Sequence, residues 1–173
     1  MPLKYQIITV SVFLLLTSCS ELRHINKDVD QMRKQLPQIQ LPATFNSDKK
    51  VKYQAIELEG NQTIKRLIER NSFSLIGKLF ETENNITILG YLPDNFGSPV
   101  VITIDNSGQE ISSHVLYETA RAGFGFHTTS NFVMIRSNRR IMFMDSSVLI
   151  TNSTSVTHKY YLIKEDGTIE VVN

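Results

Sequence analysis

Tryptophan is absent from this 173-residue chain, and cysteine occurs once, as Cys19. A lone cysteine closes no intramolecular disulfide, so the fold must rest on its hydrophobic core. It also excludes a zinc site built from several thiolates. Without tryptophan the strongest sugar-stacking side chain is missing, although six tyrosines and nine phenylalanines remain. Neither sign of charge dominates, with 18 Lys and Arg against 17 Asp and Glu. Nucleic acids and anionic membrane faces demand net or clustered basic charge, so this balance argues against both as main partners. There is no nucleophile elbow, no His-Glu-x-x-His and no phosphate loop. Gly123-Phe124-Gly125-Phe126 lacks the third glycine and the following helix of a dinucleotide fingerprint. Alternating Gly and Phe suits a strand that bends or admits a neighbouring backbone closely. A ligand-pocket wall with His127 at its rim is the functional alternative. No cofactor and no metal is indicated.

What is present begins at the N-terminus. Lys4 is the only charge before the apolar run Ile7-Ile8-Thr9-Val10-Ser11-Val12-Phe13-Leu14-Leu15-Leu16. A short positive region followed by an h-region of about ten residues has the form of a secretory signal. The run is too short for a bilayer-spanning helix, which needs roughly 20 apolar residues. Leu16-Thr17-Ser18-Cys19 follows directly. This stretch resembles the lipobox of bacterial lipoproteins, and the resemblance covers residues 1–19. It implies cleavage before Cys19, a diacylglyceryl thioether on that cysteine, usually an added N-acyl chain, and attachment to a membrane. One acyl chain holds only marginally, whereas two or more make the attachment stable. Ser20 follows in place of Asp, which by resemblance to enterobacterial sorting implies the outer membrane. Loss of residues 1–18 would leave 155 residues and remove only Lys4, so 17 basic side chains would face 17 acidic ones.

The sequence therefore divides into a signal peptide (1–18), a lipidated cysteine with helix and spacer (19–44), and a β-rich domain (45–173). Over residues 20–36, Leu22, Ile25, Val29, Met32 and Leu36 recur at helical spacing, with charged residues elsewhere. Such a helix can pack on its own domain, lie on the membrane or pair with a partner helix. Pro37 stops it, and Pro37 to Pro42 should be extended and fairly stiff. The compact domain is expected to start between Phe45 and Val51.

Beyond residue 50 the period changes. Val51 to Leu58 reads as a strand, and Asn61 caps one helix over Thr63 to Arg70. Strand candidates then follow at Phe73–Glu81, Ile86–Leu92, Val100–Ile104, Glu110–Glu118, Gly123–Thr128, Phe132–Arg136, Arg140–Met144, Ser147–Ile150, Thr157–Lys164 and Thr168–Val172. Asn84-Asn85, Asn106-Ser107-Gly108, Ser137-Asn138 and Asp166-Gly167 are hairpin turns by their chemistry. Strands this close leave no room for crossover helices, so the sheets should be antiparallel. A mainly β fold is expected, an antiparallel sandwich or small barrel with one short helix, preceded by the N-terminal helix and spacer. Phe132-Val133-Met134-Ile135 and Ile141-Met142-Phe143-Met144 are apolar throughout. That pattern predicts strands covered on both faces, or on one face with another element meeting the second.

Candidate chemistry is sparse. Arg136, Arg139 and Arg140 surround one tight turn. Three guanidiniums there could clamp a phosphate, sulfate or carboxylated sugar, or only keep a hairpin tip solvated. His24, His114, His127 and His158 are far apart, and none is paired at metal-ligand spacing. Glu81, Glu83, Asp94, Asp105, Glu110, Glu118 and Asp145 are available for a glycosidase-like carboxylate pair, but most occupy turns, where acids are expected anyway. The leading expectation is a non-enzymatic, membrane-tethered binding or accessory domain of the cell envelope, with an envelope protein or glycan as partner. The alternatives are a small envelope hydrolase and a lipocalin-like carrier. A deep pocket with a His or two carboxylates would favour the enzyme, a flat apolar patch or open edge the binder, and a closed barrel the carrier.

Overall fold

Turn chemistry sets the strand order. The computed structural model describes residues 26–49, 53–94, 97–117, 126–149 and 154–172, with backbone only at 126–129, 148 and 149. Lys27–Gln35 forms α1 and Gln62–Asn71 forms α2. The strands are β1 (Ala43–Asn46), β2 (Ser74–Glu81), β3 (Asn85–Tyr91), β4 (Pro99–Asp105), β5 (Glu110–Val115), β6 (Phe126–Ile135), β7 (Arg140–Leu149), β8 (Thr154–Ile163) and β9 (Ile169–Val172). All four turn signals join antiparallel neighbours, β2 to β3, β4 to β5, β6 to β7 and β8 to β9.

The strands make two separate antiparallel sheets, a four-stranded one in the order β2-β3-β4-β5 and a five-stranded one in the order β1-β6-β7-β8-β9. The sandwich expectation holds, and among the described residues there is no closed barrel of the kind a carrier needs. Strand alternation on β3 and β4 points Ile86, Ile88, Val100, Ile102 and Ile104 one way and Leu89 and Val101 the other. The first set packs with Val29, Met32 and Leu36 of the α1 segment and with Ile64 and Leu67 of α2. The second packs with Phe45, Val133, Ile135, Ile141, Phe143 and Tyr161 of the five-stranded sheet. The molecule therefore has three layers, with the four-stranded sheet between helices and the second sheet.

Two-sided burial explains why β3 and β4 are apolar almost throughout. Thr87 and Thr103, buried and cross-strand, satisfy each other at 3.3 Å. The expectation that Phe132–Ile135 and Ile141–Met144 are covered on both faces is overturned. Only Val133, Ile135, Ile141 and Phe143 are buried there, while the residues between them are partly exposed.

The stretch read as a spacer belongs to the compact body from Asn26 onward. Helix α1 lies on its own domain because Val29 and Met32 are fully buried against the sheet. Ile39 N–H donates to Lys78 O (2.9 Å) and Lys78 N–H to Pro37 O (3.0 Å), so the stiff segment after α1 covers the outer edge of β2. Gly77 permits this approach, since a Cβ there would come within 2.7 Å of Pro37 O. Residues 43–46 then pair with β6 as β1, a strand the sequence pattern does not announce. Residues 53–58 form no strand, although Ile56 N–H still reaches Leu75 O at 2.8 Å.

Polar bonds lock the helical layer. Arg33 Nη1 donates to Glu81 Oε1 (3.0 Å) and Thr82 O (2.7 Å), and its Nη2 to Asn106 Oδ1 (2.8 Å). Lys78 Nζ joins at Glu81 Oε2 (2.8 Å). Partial burial raises the Glu81 pKa, but the bonds from Lys78 and Arg33 outweigh it and hold the carboxyl below its ordinary value. Asp28, which is buried, accepts from Thr63 N–H through Oδ2 (2.9 Å). Asn61 caps α2 by accepting from Ile64 N–H (2.9 Å), and its Nδ2 donates to Asp28 O (2.9 Å). Asp28→Ala strands the Thr63 donor at the positive end of α2, so it should lower stability by about 2 kcal/mol. Asp28→Asn keeps an acceptor and should cost about half as much. Urea unfolding of both variants measures the difference.

Candidate functional site on the outer face of the five-stranded sheet

Side chains alternate across a strand, so the buried positions of β6, β7 and β8 identify the outward ones. Val133, Ile135, Ile141, Phe143, Tyr161 and Ile163 point into the sandwich and are buried. Phe132, Met134, Met142, Met144, Tyr160 and Leu162 therefore face out. Their register arranges them in rows. Thr44, Met134, Met142, Tyr160 and Val172 lie side by side across the five strands. Asn46, Phe132, Met144 and His158 form the next row. Arg140, Leu162 and Glu170 form the row on the other side, where Glu170 Oε2 meets Lys164 Nζ at 2.6 Å.

An antiparallel sheet with one solvated face normally presents polar residues on it. Here the centre carries three of the chain's five methionines, with Phe132 and the 42 %-exposed Tyr160, and no Lys, Arg, Asp or Glu in its two central rows. Among the described residues nothing packs on it. Unlike scattered surface hydrophobics, a contiguous apolar patch is a candidate binding surface. Methionine, unbranched and polarizable, lets such a surface adapt to its partner.

Of the residues singled out in the sequence, Arg140 and His158 lie on this face, and the others that the structure describes are spread over the molecule. Arg139 takes a left-handed conformation (φ 61°) at the β6–β7 turn and stacks over the Phe80 ring at 5.9 Å. Its neighbour Arg140 stands on the outer face beside Leu162. Arg136 closes the hairpin, its N–H donating to Arg140 O at 2.9 Å. Arg139 thus reaches toward Phe80 of the four-stranded sheet, whereas Arg140 stands on the outer face.

His114 stacks on buried Tyr161 with ring centroids 4.4 Å apart, between the sheets, whereas His158 lies in the outer-face row beside Met144. The two are on opposite sides of the five-stranded sheet. His24 and Glu118 lie outside the described residues, as do the side chain of His127 and most of the Gly123–Phe126 segment. Cys19 lies outside them too. Among the described residues no group of three His, Cys, Asp or Glu could hold a metal ion.

Several of the carboxylates have local structural work. Glu81 binds Arg33 and Lys78, and Asp94 accepts from Ser98 N–H at 3.0 Å. Asp105 accepts from Ser107 and Gln109 N–H at 2.9 Å, and Glu110 from Asn71 Nδ2 at 3.2 Å. Tyr53 stacks with Phe45 and Tyr91 at 5.8 and 5.4 Å near the same end as Asp94. Desolvation, then the neighbouring Tyr53, Asp48 and Asp94, push the Tyr117 phenol well above its ordinary value, which keeps it neutral within the core.

Two open grooves flank α2. The smaller, about 300 Å³, is lined by Thr63, Arg66, Leu67, Arg70, Gly108, Gln109 and Glu110. The larger, about 720 Å³, has Ile56, Leu58, Ile64 and Ile68 among its walls and Glu57, Glu59, Lys65 and Glu69 among its polar groups. Neither contains a histidine. Sequence spacing had no means of finding these grooves, because each is formed between the helix and a segment distant in the chain or coiled back on it.

No family model, no curated protein and no solved structure matches the sequence.

Proposed function

We propose that this chain is a lipid-anchored lipoprotein of the bacterial envelope that works by binding, not catalysis, through the outer face of its five-stranded sheet. The observation that carries the binding reading is that face, an apolar surface on which no described helix or strand packs, in a domain whose other sheet is covered on both sides. Anchoring rests on Leu16-Thr17-Ser18-Cys19 and the h-region before it. With the outer membrane as the expected site, the lipid on Cys19 would confine the domain to an envelope surface, where a modest affinity suffices because both partners are concentrated there. The partner is a protein more than a glycan. Sugar hydroxyls laid on Met134, Met142 and Phe132 would lose water without finding hydrogen bonds in return.

Photocross-linking in intact cells tests this. With p-benzoylphenylalanine at Met142 or Tyr160, a discrete higher-mass adduct is expected after irradiation. The same probe at Lys65, on the opposite layer, should leave the chain unshifted. No adduct from either outer-face position, or an identical pattern from Lys65, would sink the assignment of the face.

A further inference from the structure

The smaller groove beside α2 combines three features that structural roles leave unexplained. Residues 63, 66, 67 and 70 recur at +3, +4 and +7 and so share one face of the helix. That face brings Arg66 and Arg70 together, two like charges four residues apart, an arrangement that disfavours an isolated helix. The opposite wall supplies one carboxylate, Glu110, 3.7 Å from Arg70 and 11 % exposed. Glu110 is also held by Asn71 Nδ2 at 3.2 Å, so the one carboxylate lining the groove is already engaged by Arg70 and Asn71. The floor holds Thr63, 1 % exposed, whose Oγ1 has no hydrogen-bond partner. Buried hydroxyls are normally paired, and an unpaired one is destabilising. Gly108 lies directly against that hydroxyl, where a Cβ would stand 2.9 Å from Oγ1 and 3.2 Å from Asn26 Nδ2, so only a glycine fits the turn here, at φ 86°.

We propose that this groove binds a small oxyanion, a phosphate or carboxylate group, held by Arg66 and Arg70 with the Thr63 hydroxyl beneath. Guanidinium forks match the paired oxygens of both groups, and their charge-assisted bonds are the strong ones. The anion relieves the repulsion between the two arginines and gives Thr63 Oγ1 an acceptor. A volume of about 300 Å³ admits a bare anion or the anionic end of a small polar molecule. The site is separate from the outer face of the five-stranded sheet and does not depend on it.

The test uses the full-length chain in non-ionic detergent, titrated with sodium phosphate in one arm and sodium acetate in another. Sodium chloride at matched ionic strength serves as reference. A saturable rise in Tm above the chloride reference is expected in at least one arm, and the arm that responds identifies the anion. Exclusion of salts from the surface also stabilises proteins, but it acts on wild type and variants alike and does not saturate. In Arg66→Gln/Arg70→Gln the half-saturating concentration should rise about ten-fold or more for each guanidinium lost. Thr63→Val should weaken binding several-fold without lowering the Tm of the free protein, because an unpaired buried hydroxyl has been removed. No saturable rise with either anion, or an equal rise in the double Gln variant, overturns the proposal. Unchanged affinity in Thr63→Val overturns the part given to the hydroxyl.

Discussion

Cys19→Ala should abolish fatty-acid incorporation into this chain. If the proposed anchoring holds, cells grown with an alkyne-tagged fatty acid label the wild type and leave the variant blank. The effect is all or none, since Cys19 is the only cysteine and no second thiol can substitute. Fractionation gives a second readout. Wild-type chain should stay with membranes through high salt, because acyl chains hold by apolar burial and not by charge. Beyond Lys4 the chain carries 17 basic and 17 acidic side chains, so no net charge exists to replace the lipid. The variant keeps its h-region, but about ten apolar residues are too few for a spanning helix. Its membrane association should weaken and become extractable. Label incorporated equally by both chains, or a variant held as firmly as the wild type, would end the lipoprotein reading.

Two neighbours on β7 should respond to substitution by very different amounts. Phe143 is 1 % exposed and packs between the sheets, so Phe143→Ala should cost about 3–5 kcal/mol, the range for emptying an aromatic site in a well-packed core. Met142, one residue earlier, faces out. Met142→Ser should cost about 1–2 kcal/mol, since its side chain is partly buried by its neighbours on the sheet but fills no site between the sheets. The comparison is sharp because both residues are neighbours on one strand and occupy opposite faces of it. Urea midpoints with unchanged slope measure it. A Met142→Ser cost close to that of Phe143→Ala would mean that the outer face is covered within the chain, and the binding face would be lost with it. If the prediction holds, the outer face carries little of the fold's stability, as the proposed binding role requires.

Local chemistry was the legible part of this fold. Asp166-Gly167, Asn106-Ser107-Gly108 and Asn84-Asn85 could be assigned as hairpins because a turn is decided by the conformational freedom of two or three residues. Asn61 could be named as a cap for the same reason, its side chain bonding only three residues along, to Ile64 N–H. The β-rich character and antiparallel pairing followed from strand spacing alone. Strand length was less readable. Gly123–Thr128 and Phe132–Arg136 looked like two strands, yet residues 126–135 run as one, because pairing with β7 carries β6 through its polar middle at Ser130 and Asn131.

Coverage was not legible at all. Ile86-Thr87-Ile88-Leu89 and Ile141-Met142-Phe143-Met144 look alike as strings, yet the first is buried on both faces and the second on one. The difference lies in α1, which spans residues 27–35 and lies on β3 and β4, not on β6 and β7. Nothing within either strand records where that helix goes. The groove at Arg66 and Arg70 was hidden for the same reason, since its far wall at residues 108–110 is nearly forty positions away. Period, turn type and cap are short-range properties carried by neighbouring residues, and they were readable from the chain. Which apolar face stays open, and which charges meet across a groove, depends on contacts between distant segments, so only the folded packing could decide them.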